Sequence, residues 1–232
     1  MQLKSRLFQA GGLAAAGFLA GSTPVQAAPN LLTVNPSFES NAPFINATGD
    51  VNGIPGWHAV MADTTPGNYN SFVGAAGDQP NTTGRDGANF GYYHGAIFET
   101  SAASRAPATP GTTYQLSLLL KNDQDLGDTT PTQVTLAFYN NNSTYRTALP
   151  GSLTVPVSLV STKINGDGGG AFTPQTFTAV APAGATFAGI ELNTAGTYIL
   201  DNVSISVVPE PGMMGVGVLT SAGLLTRRRR RT

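Results

Sequence analysis

Pro110-Gly111-Thr112-Thr113-Tyr114-Gln115-Leu116-Ser117-Leu118-Leu119-Leu120 places a large apolar side chain on every second position from Tyr114 to Leu120, directly after a Pro-Gly turn signal. That spacing is the period of a β-strand with one buried face, because successive side chains point to opposite sides. The same period returns in Val134, Leu136 and Phe138 before the turn Asn140-Asn141-Asn142, and again in Leu153, Val155, Val157 and Leu159. Phe177 with Val180, then Phe187, Ile190 and Leu192, and last Ile199, Val203, Ile205 and Val207 continue it. Gly, Pro, Asn, Thr and Ser fill the intervals, and these residues favour turns and strands over helices. The glycine-rich stretch 160–172 joins strands of one kind, so it reads as a connection and not a domain boundary. Many short strands with such turns predict an all-β fold, an antiparallel two-sheet sandwich.

Charge is distributed unevenly along the 232 residues, whose formal total is only −1. Lys4 and Arg6 open the chain, Leu13 to Ala20 is apolar and small, and Val25-Gln26-Ala27 has the small-x-small form of a leader cleavage site. The expectation is a signal peptide over residues 1–27 and a mature chain from Ala28. Arg6 lacks the adjacent arginine of a twin-arginine signal, which points to the general secretory translocon. Residues 28–208 are enough for a single domain with a sizeable core. They hold five basic against twelve acidic residues, a net charge of −7. Such a domain is a poor partner for nucleic acid or an anionic membrane surface, and leaves cations and neutral polymers open. The chain has no cysteine, which excludes disulfides, zinc-thiolate and iron-sulfur sites and a cysteine nucleophile.

The other end reads Val208-Pro209-Glu210-Pro211-Gly212, an apolar run from Met213 to Leu225, and the arginines Arg227, Arg228, Arg229, Arg230 and Arg231. Gly212 to Thr226 is fifteen residues without a charge, short of the roughly 20 that a helix needs to cross a bilayer. The arginines would hold their end in the cytoplasm. An ordinary anchor or a basic tail is the plain alternative. The Pro-Glu-Pro triplet, short hydrophobic helix and basic end together resemble the PEP-CTERM sorting signal of certain Gram-negative bacteria. That resemblance implies recognition and cleavage by the membrane protease exosortase, and covers residues 209–232. The protein would then be held in the inner membrane transiently and end in the envelope, on the outer surface or in the extracellular matrix.

Between these ends, Asn30-Leu31-Leu32-Thr33-Val34-Asn35-Pro36-Ser37-Phe38-Glu39 with Ile54-Pro55-Gly56-Trp57 resembles the opening of galactose-binding-like jelly rolls. Tyr198-Ile199-Leu200-Asp201-Asn202-Val203-Ser204-Ile205 is similar to their closing strand, and Asp86-Gly87-Ala88-Asn89-Phe90-Gly91-Tyr92 and Pro110 to Tyr114 match related exported domains. The superfamily includes many carbohydrate-binding modules. The resemblance implies a jelly-roll sandwich over residues 28–208 and a structural calcium ion, carried here by Glu39 and Asp201 near the paired termini. Calcium takes six to eight oxygens of this kind. The alternative is that Glu39 caps a turn and Asp201 accepts backbone hydrogen bonds with no ion.

Catalytic patterns are absent from the sequence. His58 and His94 form no ligand pair, and no nucleophile elbow or phosphate loop occurs. Glu39, Glu99 and Glu191 would serve a glycosidase only if two of them met across a cleft, and Glu191, between Ile190 and Leu192, reads as a solvated residue on the outward face. Asp123-Gln124-Asp125-Leu126-Gly127-Asp128 lacks the spacing of a calcium loop and reads as solvated. Aromatic rings suit sugar faces, so Tyr69, Tyr92, Tyr93 and His94 are the candidates for ligand binding. Phe90 and Tyr92 share one face of a strand and Tyr93 takes the other, so one of the adjacent tyrosines belongs to the core. Trp57 reads as a structural plug. The expectation is a non-catalytic, exopolysaccharide-binding surface or matrix protein, with a purely structural biofilm protein as the alternative and a hydrolase behind both.

Overall fold

The computed structural model describes residues 28–40, 46–47, 54–61, 71–75, 82–83, 87–94, 96–123, 127–141, 147–162 and 170–209. The leader, Tyr69, Asp125 and the sorting residues from Glu210 onward lie outside the described residues. Those that are described form strands β1 (Asn46–Ala47), β2 (Trp57–Met61), β3 (Ser71–Ala75), β4 (Thr82–Thr83), β5 (Asn89–His94), β6 (Ala96–Thr100) and β7 (Ala106–Pro107). They continue with β8 (Thr113–Asn122), β9 (Thr132–Tyr139), β10 (Leu153–Val157), β11 (Gly170–Ala171), β12 (Thr173–Val180), β13 (Phe187–Thr194) and β14 (Thr197–Val207). Among the described residues a 3-10 turn, Ala102–Ser104, lies between β6 and β7.

Two antiparallel sheets face each other, as the alternation predicts. The first runs β1-β3-β5-β14-β8-β12 and the second β10-β9-β13-β6-β2, with β7 also on β13. Each expected strand from Tyr114 onward is found. The inward positions of β8, Tyr114, Leu116, Leu118 and Leu120, are buried against Val134, Leu136 and Phe138 of β9 and Ile190 and Leu192 of β13 in one continuous core.

An aromatic column crosses this core. Phe38 stacks on Trp57 at 5.0 Å and Trp57 on Phe98 at 4.9 Å. Tyr93 stacks on Phe98 at 6.0 Å and Tyr198 on Tyr93 at 6.1 Å. Each such pair contributes about 0.5–1.5 kcal/mol beyond area burial. Trp57 is 1% exposed and its indole donates to Asn35 O at 3.0 Å, which is the plug that its Pro-Gly-Trp setting predicts. Gly91 leaves room for the column's end, since a Cβ there would stand 2.5 Å from the Phe38 ring.

The N-terminal segment straps the last strand. Asn30 Nδ2 donates to Val203 O at 3.0 Å, while its Oδ1 accepts the amides of Leu32 and Ile205 at 3.0 and 3.1 Å. Leu31 N donates to Ile205 O and Val203 N to Pro36 O. The β14 register shifts between Asp201 and Ser204, with Asn202 at φ 46°. That bulge takes groups out of the ladder, and the strap satisfies two of them.

The outward face of the first sheet is partly covered as well. Phe90, Ile199 and Phe172 form a second buried cluster, with Tyr92 and Leu119 packed against it.

Candidate functional site

Of the tyrosines expected to bind sugar, Tyr69 lies outside the described residues and Tyr93 is part of the core. Tyr93 is fully buried and its hydroxyl lies 3.0 Å from Thr132 Oγ1. It offers no ring face to a ligand, which corrects that expectation. The reason is that β5 has both faces covered, so neither tyrosine of the pair is left to solvent alone. Tyr92 is half-buried against the second cluster, and burial raises its phenol above the ordinary range. His94 Nδ1 lies 2.5 Å from Thr197 Oγ1 across the β5–β14 pair. Asp123, expected to be solvated, is buried with Lys121 Nζ 3.4 Å from its Oδ1. The strand above it is enclosed on both faces by that point, and a carboxylate in such a place requires a cation.

Glu39 and Asp201 belong to the same end of the β5–β14 pair. Glu39 Oε1 accepts the amides of Ala88 and Asn89 at 2.9 and 2.7 Å. Asp201 is fully buried and its Oδ1 accepts the Asn202 amide at 2.7 Å. The β5–β14 ladder stops at Gly91↔Leu200, so Asp201 follows its last rung and Asn89, held by Glu39, lies just beyond the other side. Gly87, at φ 73°, lets the backbone approach so closely that a Cβ would meet the Glu39 carboxylate at 2.5 Å. Carboxylates are the hard-oxygen donors that calcium takes, so the two residue types suit such an ion, but among the described residues no third acidic or histidine ligand joins them and both accept backbone amides as in the ion-free alternative.

A different set of residues converges on the outward face of the second sheet. Register aligns His58 with Glu99, Glu99 with Glu191, Glu191 with Thr135 and Thr135 with Thr154. One polar row therefore crosses all five strands from β2 to β10. Thr135 Oγ1 and Thr154 Oγ1 are 3.0 Å apart. Glu99, Glu191, Thr135 and Thr154 line a groove of about 520 Å³, walled by Ile97 and the 147–152 segment. On its other side Glu99 also lines a smaller cavity of about 290 Å³ with Trp57, His58 and Arg105.

The two glutamates have different surroundings. His58 Nδ1 lies 3.0 Å from Glu99 Oε1 and Arg105 Nη2 3.9 Å from Glu99 Oε2, with the Glu99 side chain 8% exposed. Glu191 accepts the Tyr139 hydroxyl at 2.8 Å. Tyr139 reaches it by lying across the sheet over Ala137 and Gly189, the small pair that faces each other between them. The Arg105 guanidinium covers the ring 3.8 Å from its centre. A Cβ on Gly189 would collide with Thr100 Oγ1 and press on Tyr139. Burial pushes the Glu191 carboxyl above the usual carboxylate range, Tyr139 opposes that shift, and the Glu99 charge adds to it. Burial and the neighbouring Glu191 raise the Tyr139 phenol.

Sequence reasoning names Glu99 and Glu191 without joining them. The signal that places Glu191 outward is its position between Ile190 and Leu192. Its partner depends on which strands pair, and in what register.

No family model matches the chain, and no curated protein matches its sequence. Solved structures do match. The enzymatically active domain of bacteriophage CBA120 tailspike protein 4 superposes with a TM-score of 0.50 at 17% identity, over 77% of this chain and 21% of that one. The CBM22-1 xylan-binding domain of Paenibacillus barcinonensis Xyn10C gives 0.46 at 13% identity, over 80% and 98%. The K1 cleaved adhesin domain of Lys-gingipain from Porphyromonas gingivalis W83 gives 0.42 at 16%, over 75% and 96%. The chain thus spans about a fifth of the tailspike chain that it matches. At these identities the likeness is one of fold, an all-β sandwich of two antiparallel sheets.

Proposed function

We propose that this protein is an exported, non-catalytic carbohydrate-binding module whose glycan site is the groove on the outward face of the second sheet. The observation that carries the reading is the row Glu99, Glu191, Thr135 and Thr154 along one wall of a groove large enough for a sugar residue. Carboxylates and hydroxyls set in such a groove accept and donate to sugar hydroxyls, and charge-assisted bonds are the stronger ones. The leader and the Pro209-Glu210-Pro211 tail support passage through the translocon, then release or attachment by exosortase in the envelope of a Gram-negative bacterium. The ligand would then be an extracellular polysaccharide. Glu39 and Asp201 would hold a calcium ion that ties the first segment to the last strand.

Affinity electrophoresis of the purified protein through gels cast with bacterial exopolysaccharides tests the reading. Retardation by at least one polymer is expected. Unretarded migration of folded protein in every gel would leave a purely structural surface protein.

One observation favours a second reading, a glycoside hydrolase. Two carboxylates facing each other beside a groove are what such chemistry uses, here Glu191, whose carboxyl burial holds above the usual range, as acid and Glu99 as base or nucleophile. Binding is preferred because Glu99 is committed to His58 and Arg105 and is almost fully covered. Release of reducing ends from a retained polymer, lost in Glu191→Gln, would establish the hydrolase.

A further inference from the structure

We infer that the groove selects glycans bearing protonated amino groups, such as polymers of glucosamine with free amines, over N-acetylated or uronic acid polymers; this rests on the glycan-binding role proposed for the same groove. Glu99 and Glu191 face each other directly across β6 and β13 and both line it. Like charges at such a pair of positions repel. Within the fold that repulsion is answered on one side. Glu99 has His58 and Arg105 in contact behind it, whereas Glu191 touches the neutral Tyr139 hydroxyl, feels the Arg105 charge only from beyond ion-pair distance, and has no ion-pair partner among the described residues.

Arg105 does not supply a cation to the ligand, since its side chain is 1% exposed and its guanidinium is seated on the Tyr139 ring. Among the described residues the groove lining contains no lysine or arginine. A cation brought in by the ligand would therefore relieve Glu191, stabilising its ionised form and releasing a proton as it binds. The rest of the lining says what carries that cation. Hydroxyls of Thr135, Ser152 and Thr154 beside the apolar Ile97 and Leu149 suit a sugar ring, with polar edges and an apolar face, better than a bare metal ion. A uronate would meet two carboxylates, and an N-acetyl group would remove the charge.

The test is equilibrium binding of the purified protein to a chitosan oligosaccharide, to the fully N-acetylated oligomer of the same length, and to an oligogalacturonate. A charge-assisted bond formed by the amine predicts a preference of about tenfold or more for chitosan over the acetylated oligomer, with the galacturonate unbound. Glu191→Gln keeps an acceptor for Tyr139 and is expected to reduce the preference to about twofold or less. Thr154→Lys, at an exposed position on the same rung, adds a cation to the row at the cost of the Thr135 hydroxyl bond and should do the same. Asp128→Asn, an acid that does not line the groove, should change nothing. Equal binding of chitosan and its acetylated form overturns the inference and leaves glycan binding standing. A preference that survives both groove variants means adsorption to an acidic surface and overturns it too. Binding to none of these oligosaccharides overturns it, and the polysaccharide gels then decide whether the broader reading also fails.

Discussion

Glu191 is the residue whose setting differs most from its appearance in the chain. Between Ile190 and Leu192 it reads as solvated, yet the strand opposite brings Glu99 to it and Tyr139 lies down on it. Its raised proton affinity fixes a sign for stability. The folded protein holds this proton more tightly than the unfolded chain, so the contribution is fully present below the usual carboxylate range and is lost as pH rises through the elevated value. Chemical denaturation of the protein and of Glu191→Gln across pH 4 to 8 should show a falling component in the first that is missing in the second. Tyr93 makes the complementary case. Removing only its hydroxyl, in Tyr93→Phe, is expected to cost about 0.5–1.5 kcal/mol through the lost Thr132 bond. Tyr93→Ala should cost about 3–5 kcal/mol by opening a cavity in the aromatic column. Thermal or denaturant unfolding measures both, and ligand affinity of Tyr93→Phe should be unchanged.

At the scale of the elements, the strands that were legible are those with one wet face. β8 alternates because Gln115, Ser117 and Leu119 are only part-covered while Tyr114, Leu116, Leu118 and Leu120 are inside. β5 does not alternate in this way. Phe90 belongs to the outer cluster and Tyr93 to the main core, so a sugar-binding face and a buried one look alike in the sequence Asn-Phe-Gly-Tyr-Tyr-His. The groove was illegible for a related reason. Glu99, Thr135, Thr154 and Glu191 are scattered over 93 positions and meet only through the order β6-β13-β9-β10, a tertiary choice that alternation does not encode. The motif at residues 30–39 was legible as a resemblance, and its physical content is the strap on the β14 bulge. Asn30→Ala would leave the Val203 carbonyl and the Leu32 and Ile205 amides without their partner, at a cost of roughly 1–3 kcal/mol. Denaturant unfolding checks this, and a destabilisation of only a few tenths would mean that water replaces the strap.

For the whole molecule, a domain without cysteine closes its sandwich by core packing, by the strap and, as proposed, by an ion at Glu39 and Asp201. Mass action makes the last point measurable. Calcium should raise the melting temperature of the protein, chelator should lower it, and Asp201→Asn should remove the difference. An identical melting temperature in both solutions would dismiss the ion. The acidic balance of residues 28–208 fits a partner that is neutral or cationic.

The central claim is that glycan is held in the groove of the second sheet and not at the tyrosines of the first. Binding to a retained exopolysaccharide should therefore be measured for the wild type, for Thr154→Trp, which fills the groove from an exposed position, and for His94→Ala beside Tyr93. The account predicts at least about a tenfold loss in Thr154→Trp, corresponding to 1.4 kcal/mol, and wild-type affinity in His94→Ala. Full binding in Thr154→Trp with loss in His94→Ala would contradict it and return the site to the first sheet.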